Sequence, residues 1–536
     1  MSPLTRTDAW QRLANESWDL LVIGGGATGA GVALDAATRG LNVALVERED
    51  FSAGTSSRST KLIHGGVRYL EKAVKEFDRS QFALVRDALR ERAVLIKIAP
   101  HLAKAIPLVT PLYNWLQVPY FMAGLKLYDG LAGKANLAPS RFVDAKEALE
   151  RFPMLKADGL RGGVVYYDGQ FDDARMNVAI ALTAQEEGAT ILNHAEVRGL
   201  LKEDGKVRGA RVYDRLGGEE VDVRARLVVN ATGPFSDAIR RMDDPHVEPM
   251  LTASSGIHVI LDKRFSPPET GLLIPETEDG RVLFLLPWEG HTLVGTTDNP
   301  ADIEPHPKAT EDDIEYVLRH VRKYFSVPVE RSDVLSSWSG LRPLVSDPHA
   351  ADTARLSRDH VLNIAPSELL TIAGGKWTTY RKMAYDVVDK AAELAGMDVG
   401  PVRTADLPLV GGAAFSATGA GELQERYGLD ADVASHLHYA YGDRAGQVAA
   451  IAQNESLSAR LADAHPILEA EVRYVALEEA ACTTVDVLAR RTRLAFLDQE
   501  ASIAAVPRVN ELLGDLFGWD EAQRDADRAD ALAYLV

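Results

Sequence analysis

One cysteine, Cys482, stands in a chain of 536 residues. A single thiol cannot close an intrachain disulfide, and no Cys or His stands beside it at metal-ligand spacing. Disulfide scaffolds and zinc ribbons are therefore excluded, no metal site is expected, and a reducing compartment is. Positive charge is also in short supply: 59 Lys plus Arg face 78 Asp plus Glu, a formal net charge of -19. That balance argues against nucleic acid or anionic lipid held by global charge, so an anionic ligand has to be met by a local cluster of cations. The N-terminal MSPLTRTDAWQRLANESW lacks the apolar core of a secretory signal, which makes the cytoplasm the expected location. Between Lys104 and Lys126 no charged residue occurs, but Pro107, Pro111 and Pro119, with Asn114 and Gln117, break the helix that spanning a bilayer demands. Two readings of this stretch remain: buried core, or a surface patch dipping into a membrane interface with Tyr113, Trp115 and Tyr120 as anchors.

What is present is an ordinary globular composition, 46% hydrophobic and 26% charged, long enough for two to four domains. Residues 19–24, DLLVIG, read as a buried strand, followed by a glycine turn, a helix over AGVALDAATRG and a second strand, NVALVE. This is a βαβ unit. The alternation returns at DDARMNVAIALTAQEEGATILNH and RLVVNATG. GIHVIL, RVLFLLPW and HTLVGTT suggest an antiparallel sheet, and beyond about residue 396 the texture becomes helical.

Gly24, Gly26 and Gly29 form G-x-G-x-x-G. The first glycine serves the turn, the second the close approach of a pyrophosphate, the third helix-to-sheet contact. Alone the motif is weak; here a strand precedes it, a helix follows, and Glu47 ends the next strand roughly 20 residues on, where a carboxylate accepts ribose hydroxyls. The loop does not separate NAD from FAD. Residues 51–70 hold Arg58, Lys61 and Arg68 without one acid, together with Thr55, Ser56, Ser57, Ser59, Thr60 and the pair Gly65–Gly66. Residues 369–385 are also acid-free, with Gly374–Gly375 before Lys376 and two threonines, a strand, turn and helix start suited to an anion. Each window has a plainer reading, a polar surface loop and an unliganded helix start.

Taken together, DLLVIGGGATGAG, TSSRSTKLIHGGVRYLE, VVNATGPFSD, SGLRPL and GGKWTTYRK closely resemble the FAD-dependent glycerol-3-phosphate dehydrogenases of the respiratory chain. Five separated motifs occur in order, and RYVALEEAACTTVDVLARRT resembles that family's C-terminal domain. The resemblance implies an α/β protein: a glutathione-reductase-like FAD-binding (Rossmann) domain over 1–75, 155–250 and 335–395, an antiparallel-sheet substrate cap over 76–154 and 251–334, and a helical C-terminal domain over 396–536. It implies FAD held by Gly24, Gly26, Thr28, Gly29, Glu47, Arg48, Thr55, Ser56, Ser57, Lys61, His64, Gly65, Gly66, Val197, Ala231, Thr232, Gly233, Gly374, Gly375, Lys376 and Thr378. It implies sn-glycerol 3-phosphate as substrate, Arg68, Tyr69 and Lys376 as its phosphate clamp, and His258 and Arg342 at the reacting carbon. His258 is the expected base, with His64 its rival, and Arg342 would stabilise developing alkoxide. Further implications are a membrane quinone as electron acceptor, peripheral attachment to the bilayer at the cytoplasmic face of the inner membrane, no nucleic acid, and room for a homodimer. The stretch 105–125 has no basic residue where relatives often use basic amphipathic surface, which leaves the mode of attachment open. The competing readings are an oxidase using O2, a D-amino-acid-oxidase-like enzyme and a flavin-binding sensor.

Overall fold

A computed structural model describes residues 5–66, 79–278, 280–345 and 360–536. Two sheets carry the architecture. The first runs His360–Ile364, Leu370–Gly374, Glu220–Asn230, Ser17–Ile23, Val43–Val46, Thr190–Leu192, with Ala195–Glu203 and Lys206–Asp214 attached as a hairpin. Its central strands are parallel, and Leu20, Leu21 and Val22 are covered on both faces, which is why they read as an unbroken apolar run. Over it lies the helix Ala27–Thr38, almost wholly buried between the helices Asp173–Glu186 and Tyr380–Ala395. Small residues make this possible. A Cβ on Gly29 would stand 1.8 Å from the Gly24 carbonyl oxygen, and one on Gly31 would stand 2.7 Å from the Tyr380 ring.

Among the described residues the second sheet has ten strands, most of them antiparallel; its backbone is the ladder between Leu251–Leu261 and Val334–Val345. The helix Glu311–Tyr324 covers one face with Ile314, Val317, Leu318 and Val321. Thr310 caps its start, three acids follow in the first turn, and Arg322 and Lys323 close the last, all in the sense that the helix dipole favours.

Three strands depart from the expected division of the chain, the short Leu62–Ile63 among them, which lies in the span 1–75 yet pairs with Gly162–Phe171 in the second sheet. Gly162–Phe171 lies within the span 155–250 assigned to the nucleotide domain, yet it pairs along its whole length with Ala103–Leu112 in the second sheet. Val334–Val345 likewise belongs to the second sheet rather than to the span 335–395. GGVVYYDGQF has no local feature that chooses one sheet over the other; a partner about 60 residues away in sequence does, since strand affinity is set by cross-strand neighbours. Nor is the cap purely antiparallel, because Gly271–Ile274 runs parallel to Ala103–Leu112.

The charge-free stretch divides into a buried part and an exposed part. Ala103–Leu112 is a buried strand, whereas the helix Gln117–Ala132, with Pro119 tolerated in its first turn, and the turn before it leave Trp115 59%, Leu116 81% and Tyr120 51% exposed. Among the described residues no helix is long and apolar enough to cross a membrane. From Gly419 to Leu535 the chain is helical around its own core of Val433, Leu437, Val448, Val475, Val506 and Leu513.

Candidate functional site

A cleft of about 290 Å³ opens at the carboxyl ends of the parallel strands. Gly24 turns the chain out of the first strand with φ +109°, and Gly26, extended, sits at the N-cap of the helix Ala27–Thr38. A Cβ on Gly26 would lie 3.0 Å from the Ser56 hydroxyl, which itself accepts from the Ala27 N–H at 2.9 Å. Anything larger than hydrogen at Gly26 would thus fill the approach to the helix N-terminus, where unpaired N–H groups attract an anion. Glu47 ends the second strand with one oxygen accepting from the Gly25 N–H at 2.6 Å and the other from the Glu49 N–H at 2.9 Å. Burial pushes its carboxyl up, and these N–H groups oppose the shift. Arg48 lies over the Phe235 ring. Val197, Ala231, Thr232 and Gly233 form the facing wall, and Gly374, Gly375 and Lys376 close the far end. Both Gly374 and Gly375 have positive φ, as the turn into Tyr380–Ala395 requires.

Of the residues expected to hold the cofactor, Gly24, Gly26, Thr28, Glu47, Arg48, Thr55, Ser56, Val197, Ala231, Thr232, Gly233, Gly374, Gly375 and Lys376 line this cleft. Gly29 lies beneath it. Ser57, Lys61, His64, Gly65, Gly66 and Thr378 are not on its wall. The Gly65 N–H goes to the Tyr128 hydroxyl at 2.8 Å. Lys61 needs a correction. It is wholly buried, donating to both Asp173 oxygens at 2.7 and 2.8 Å and to the Ser57 carbonyl at 2.7 Å. An acid from 112 residues away has folded in, so this lysine is no open cation for a ligand. Burial lowers its ammonium to about 8 against the opposing pull of Asp173.

His258 and Arg342 come from neighbouring strands of the second sheet. The buried His258 ring stacks on Trp338 at 5.4 Å, and its Nε2 lies 3.0 Å from the Thr60 hydroxyl, while Nδ1 has no hydrogen-bond partner among the described residues. Burial first, then the Lys61 and Arg342 cations, hold its proton affinity well below the ordinary imidazole range. Arg342 donates to the Thr296 hydroxyl at 3.2 Å, the Thr297 carbonyl at 3.0 Å and Asp298 at 3.2 Å. Both side chains lie over glycines: a Cβ on Gly295 would be 2.2 Å from the His258 ring, and one on Gly256 2.2 Å from the Arg342 guanidinium. Neither glycine stood out in the sequence, although glycine inside a strand is itself a sign of close approach. The strand bearing Arg342 is tied to the cleft by Thr55, which donates to the Leu341 carbonyl at 2.6 Å, and by Arg58, which donates to that of Ser339 at 3.0 Å. Lys376 is half-buried at the cleft end. Arg68 and Tyr69 lie outside the described residues.

The fold also gathers His194, Cys482 and Asp486, whose ligand atoms lie within 4.8 Å of one another. The Asp486 carboxylate is already taken up by His194, Arg490 and the N–H groups of Cys482 and Thr483, so the cluster is an ion-pair junction.

A family model described as FAD dependent oxidoreductase matches residues 19–381, and one described as the C-terminal domain of alpha-glycerophosphate oxidase matches 402–524. The mitochondrial glycerol-3-phosphate dehydrogenase of Mus musculus is 52% identical over 531 residues, 97% of this chain and 73% of that protein. The Homo sapiens protein of the same name is 50% identical over 547 residues, 99% of this chain and 75% of its own. The solved glycerol-3-phosphate dehydrogenase from Bacillus halodurans complexed with FAD superposes with a TM-score of 0.81 at 31% identity, covering 100% of this chain and 97% of that one. L-alpha-glycerophosphate oxidase from Mycoplasma pneumoniae, at 17% identity and a TM-score of 0.55 over 72% of this chain and 96% of its own, shares the fold. The cleft's groups, a helix N-terminus for a pyrophosphate and a half-buried carboxylate beside a strand end for a ribose, suit FAD, and FAD is the cofactor. With its motifs, its two sheets and its helical C-terminal region in one order, the chain belongs to the family of FAD-dependent glycerol-3-phosphate dehydrogenases.

Proposed function

We propose that the protein oxidises sn-glycerol 3-phosphate to dihydroxyacetone phosphate and passes the electrons to a membrane quinone. The observation that carries this reading is the buried His258 on the strand paired with the one bearing Arg342, both tied to the cofactor cleft through Thr55. Bound FAD supplies the hydride acceptor. His258 takes the hydroxyl proton on a ring nitrogen, and the negative charge of the bound substrate offsets the Lys61 and Arg342 cations that weaken the imidazole as a base. Arg342 stabilises the charge developing on the substrate oxygen. Tyr69, Arg68 and Lys376 clamp the phosphate, guanidinium for a bidentate contact and ammonium as a point charge.

Attachment to the membrane is part of the same proposal. Trp115, Leu116 and Tyr120 present apolar surface that aqueous solvent disfavours and a bilayer interface accepts. On this reading the enzyme works peripherally at the cytoplasmic face of the inner membrane, as a monomer or a homodimer.

One anaerobic experiment tests the chemistry. The flavin absorbance of the purified enzyme is recorded with and without glycerol 3-phosphate, and reoxidation is followed with a quinone analogue and, separately, with oxygen. Bleaching followed by faster reoxidation with quinone is expected. A flavin left unbleached overturns the substrate, and faster reoxidation by oxygen makes the enzyme an oxidase.

A further inference from the structure

We propose that Arg493 and Phe496, in the helical C-terminal region, are positioning residues for the Thr60–His258 pair, which makes that region a working part of the active site. The inference rests on the role given to His258 above.

Two routes lead from the C-terminal region to the imidazole. The first is polar. Arg493, buried and with left-handed backbone at φ +65°, donates to the Ser57 carbonyl at 2.9 Å and to Asp173 Oδ1 at 3.2 Å. Asp173 in turn accepts from the Ser59 N–H at 2.9 Å, the Ser59 hydroxyl at 2.7 Å and the Lys61 ammonium. Ser57, Ser59 and Lys61 are thereby fixed at both ends of a five-residue span, and Thr60, inside it, reaches His258 Nε2 at 3.0 Å. The Ser57 carbonyl receives both Lys61 and Arg493, so removing the arginine loosens the segment without emptying it.

The second route is aromatic. Phe496 meets Trp338 edge-on at 4.9 Å, and the His258 ring stacks on Trp338 at 5.4 Å. Arg493 lies over Phe496 at 4.4 Å and Trp288 at 5.5 Å, and the Lys61 ammonium is enclosed by Trp288, Trp338 and Phe496 at 5.1 to 5.7 Å. Both routes thus start within four residues of the C-terminal chain and end on one imidazole. A region that served only to stabilise the fold would need neither route. Its other ion pairs, Arg490 and Arg491 with Asp50 and Glu479 with Arg175, already secure it to the loop after Val43–Val46 and to the helix Asp173–Glu186.

The test uses the full-length, FAD-loaded enzyme with Arg493→Lys, Phe496→Leu, Thr60→Val and the double variant Arg493→Lys/Thr60→Val. Phe496→Leu keeps an apolar side chain of similar bulk and serves where Arg493→Lys is poorly folded. Flavin reduction by glycerol 3-phosphate is measured by rapid mixing, per bound FAD, alongside the affinity for the unreactive glycerol 2-phosphate. Arg493→Lys and Phe496→Leu should each slow the limiting reduction by about 10- to 100-fold, the scale of a misplacement near 1 Å, with affinity within about threefold. The double variant should lose less than the product of the two single losses, because Arg493 and Thr60 share the polar route. A second readout needs no turnover: the His258 Cε1–H resonance of histidine-labelled enzyme, assigned with His258→Gln, should move in both C-terminal variants. Reduction within about twofold of the parent, additive losses in the double variant, or an unmoved resonance overturns the proposal. If the parent flavin itself is not bleached, the substrate assignment fails and the resonance alone decides the positioning role.

Discussion

At the scale of single residues, the site depends on places where a side chain is missing. Gly26→Val should abolish FAD retention, because its Cβ would already stand 3.0 Å from the Ser56 hydroxyl and the branches would occupy the helix N-terminus; flavin absorbance of the purified variant measures this. Gly256→Ala should act differently. Its methyl group falls 2.2 Å from the Arg342 guanidinium, so FAD should stay bound while kcat/KM drops by roughly 10- to 100-fold through displacement of that arginine. A titration prediction concerns His101, which burial first, then Arg175 and His438, lower to about 3. Its folded proton affinity lies below the unfolded value near 6.5, so the unfolded state binds the extra proton. The stability this gives is present above that unfolded value and is lost as pH falls from about 6.5 toward 3. Asp168, raised by burial to about 6, acts in the opposite sense, so the comparison must be with a variant. Denaturant unfolding of the parent should lose about 1.4 kcal/mol per pH unit more than His101→Gln across that window; equal slopes would show that His101 takes up no proton on unfolding.

At the scale of elements, the helix Gln117–Ala132 and the turn before it present apolar surface outside the core. Trp115→Glu should reduce co-sedimentation with lipid vesicles, and quinone-linked activity should fall more than activity with a soluble dye. Because burial of apolar surface is little screened by ions, detergent should release the parent more readily than salt. Release by salt alone would make the attachment electrostatic. The strand before this helix carries the other half of the charge-free stretch inward, where it joins Gly162–Phe171. One apolar run is therefore divided at the turn around Trp115, buried on one side and exposed on the other.

At the scale of the whole molecule, buried ion pairs join the C-terminal region to the loop after Val43–Val46 and to the helix Asp173–Glu186. Asp50 takes both Arg490 and Arg491, and Arg175 takes Glu479. Breaking a buried pair leaves an unpaired charge at a cost of about 3–5 kcal/mol, and two such losses approach the total stability of about 5–15 kcal/mol typical of a domain. A chain ended after residue 396 should therefore fail to accumulate as a soluble flavoprotein. Gel filtration with flavin absorbance checks this, and a monodisperse, yellow fragment would show that the nucleotide sheet stands without its partner.

The sequence alone determined those features whose physics is local. The turn at Gly24–Gly29, the buried strand before it and Glu47 after the next strand are read from consecutive residues, because a tight turn and a helix N-terminus are made by neighbours. The order of the five motifs carried the family for the same reason. What only the tertiary structure decided depends on partners far along the chain. Lys61 looked like a cation awaiting an anion until Asp173 folded onto it. Gly162–Phe171 looked free to join either sheet until Ala103–Leu112 claimed it. Gly256, Gly295, Thr60 and Trp338 became part of the site only once the cap strands brought Arg342 and His258 against them. Composition and spacing report what a segment prefers, and burial and pairing, which settle charge state and neighbours, are properties of the whole packed chain.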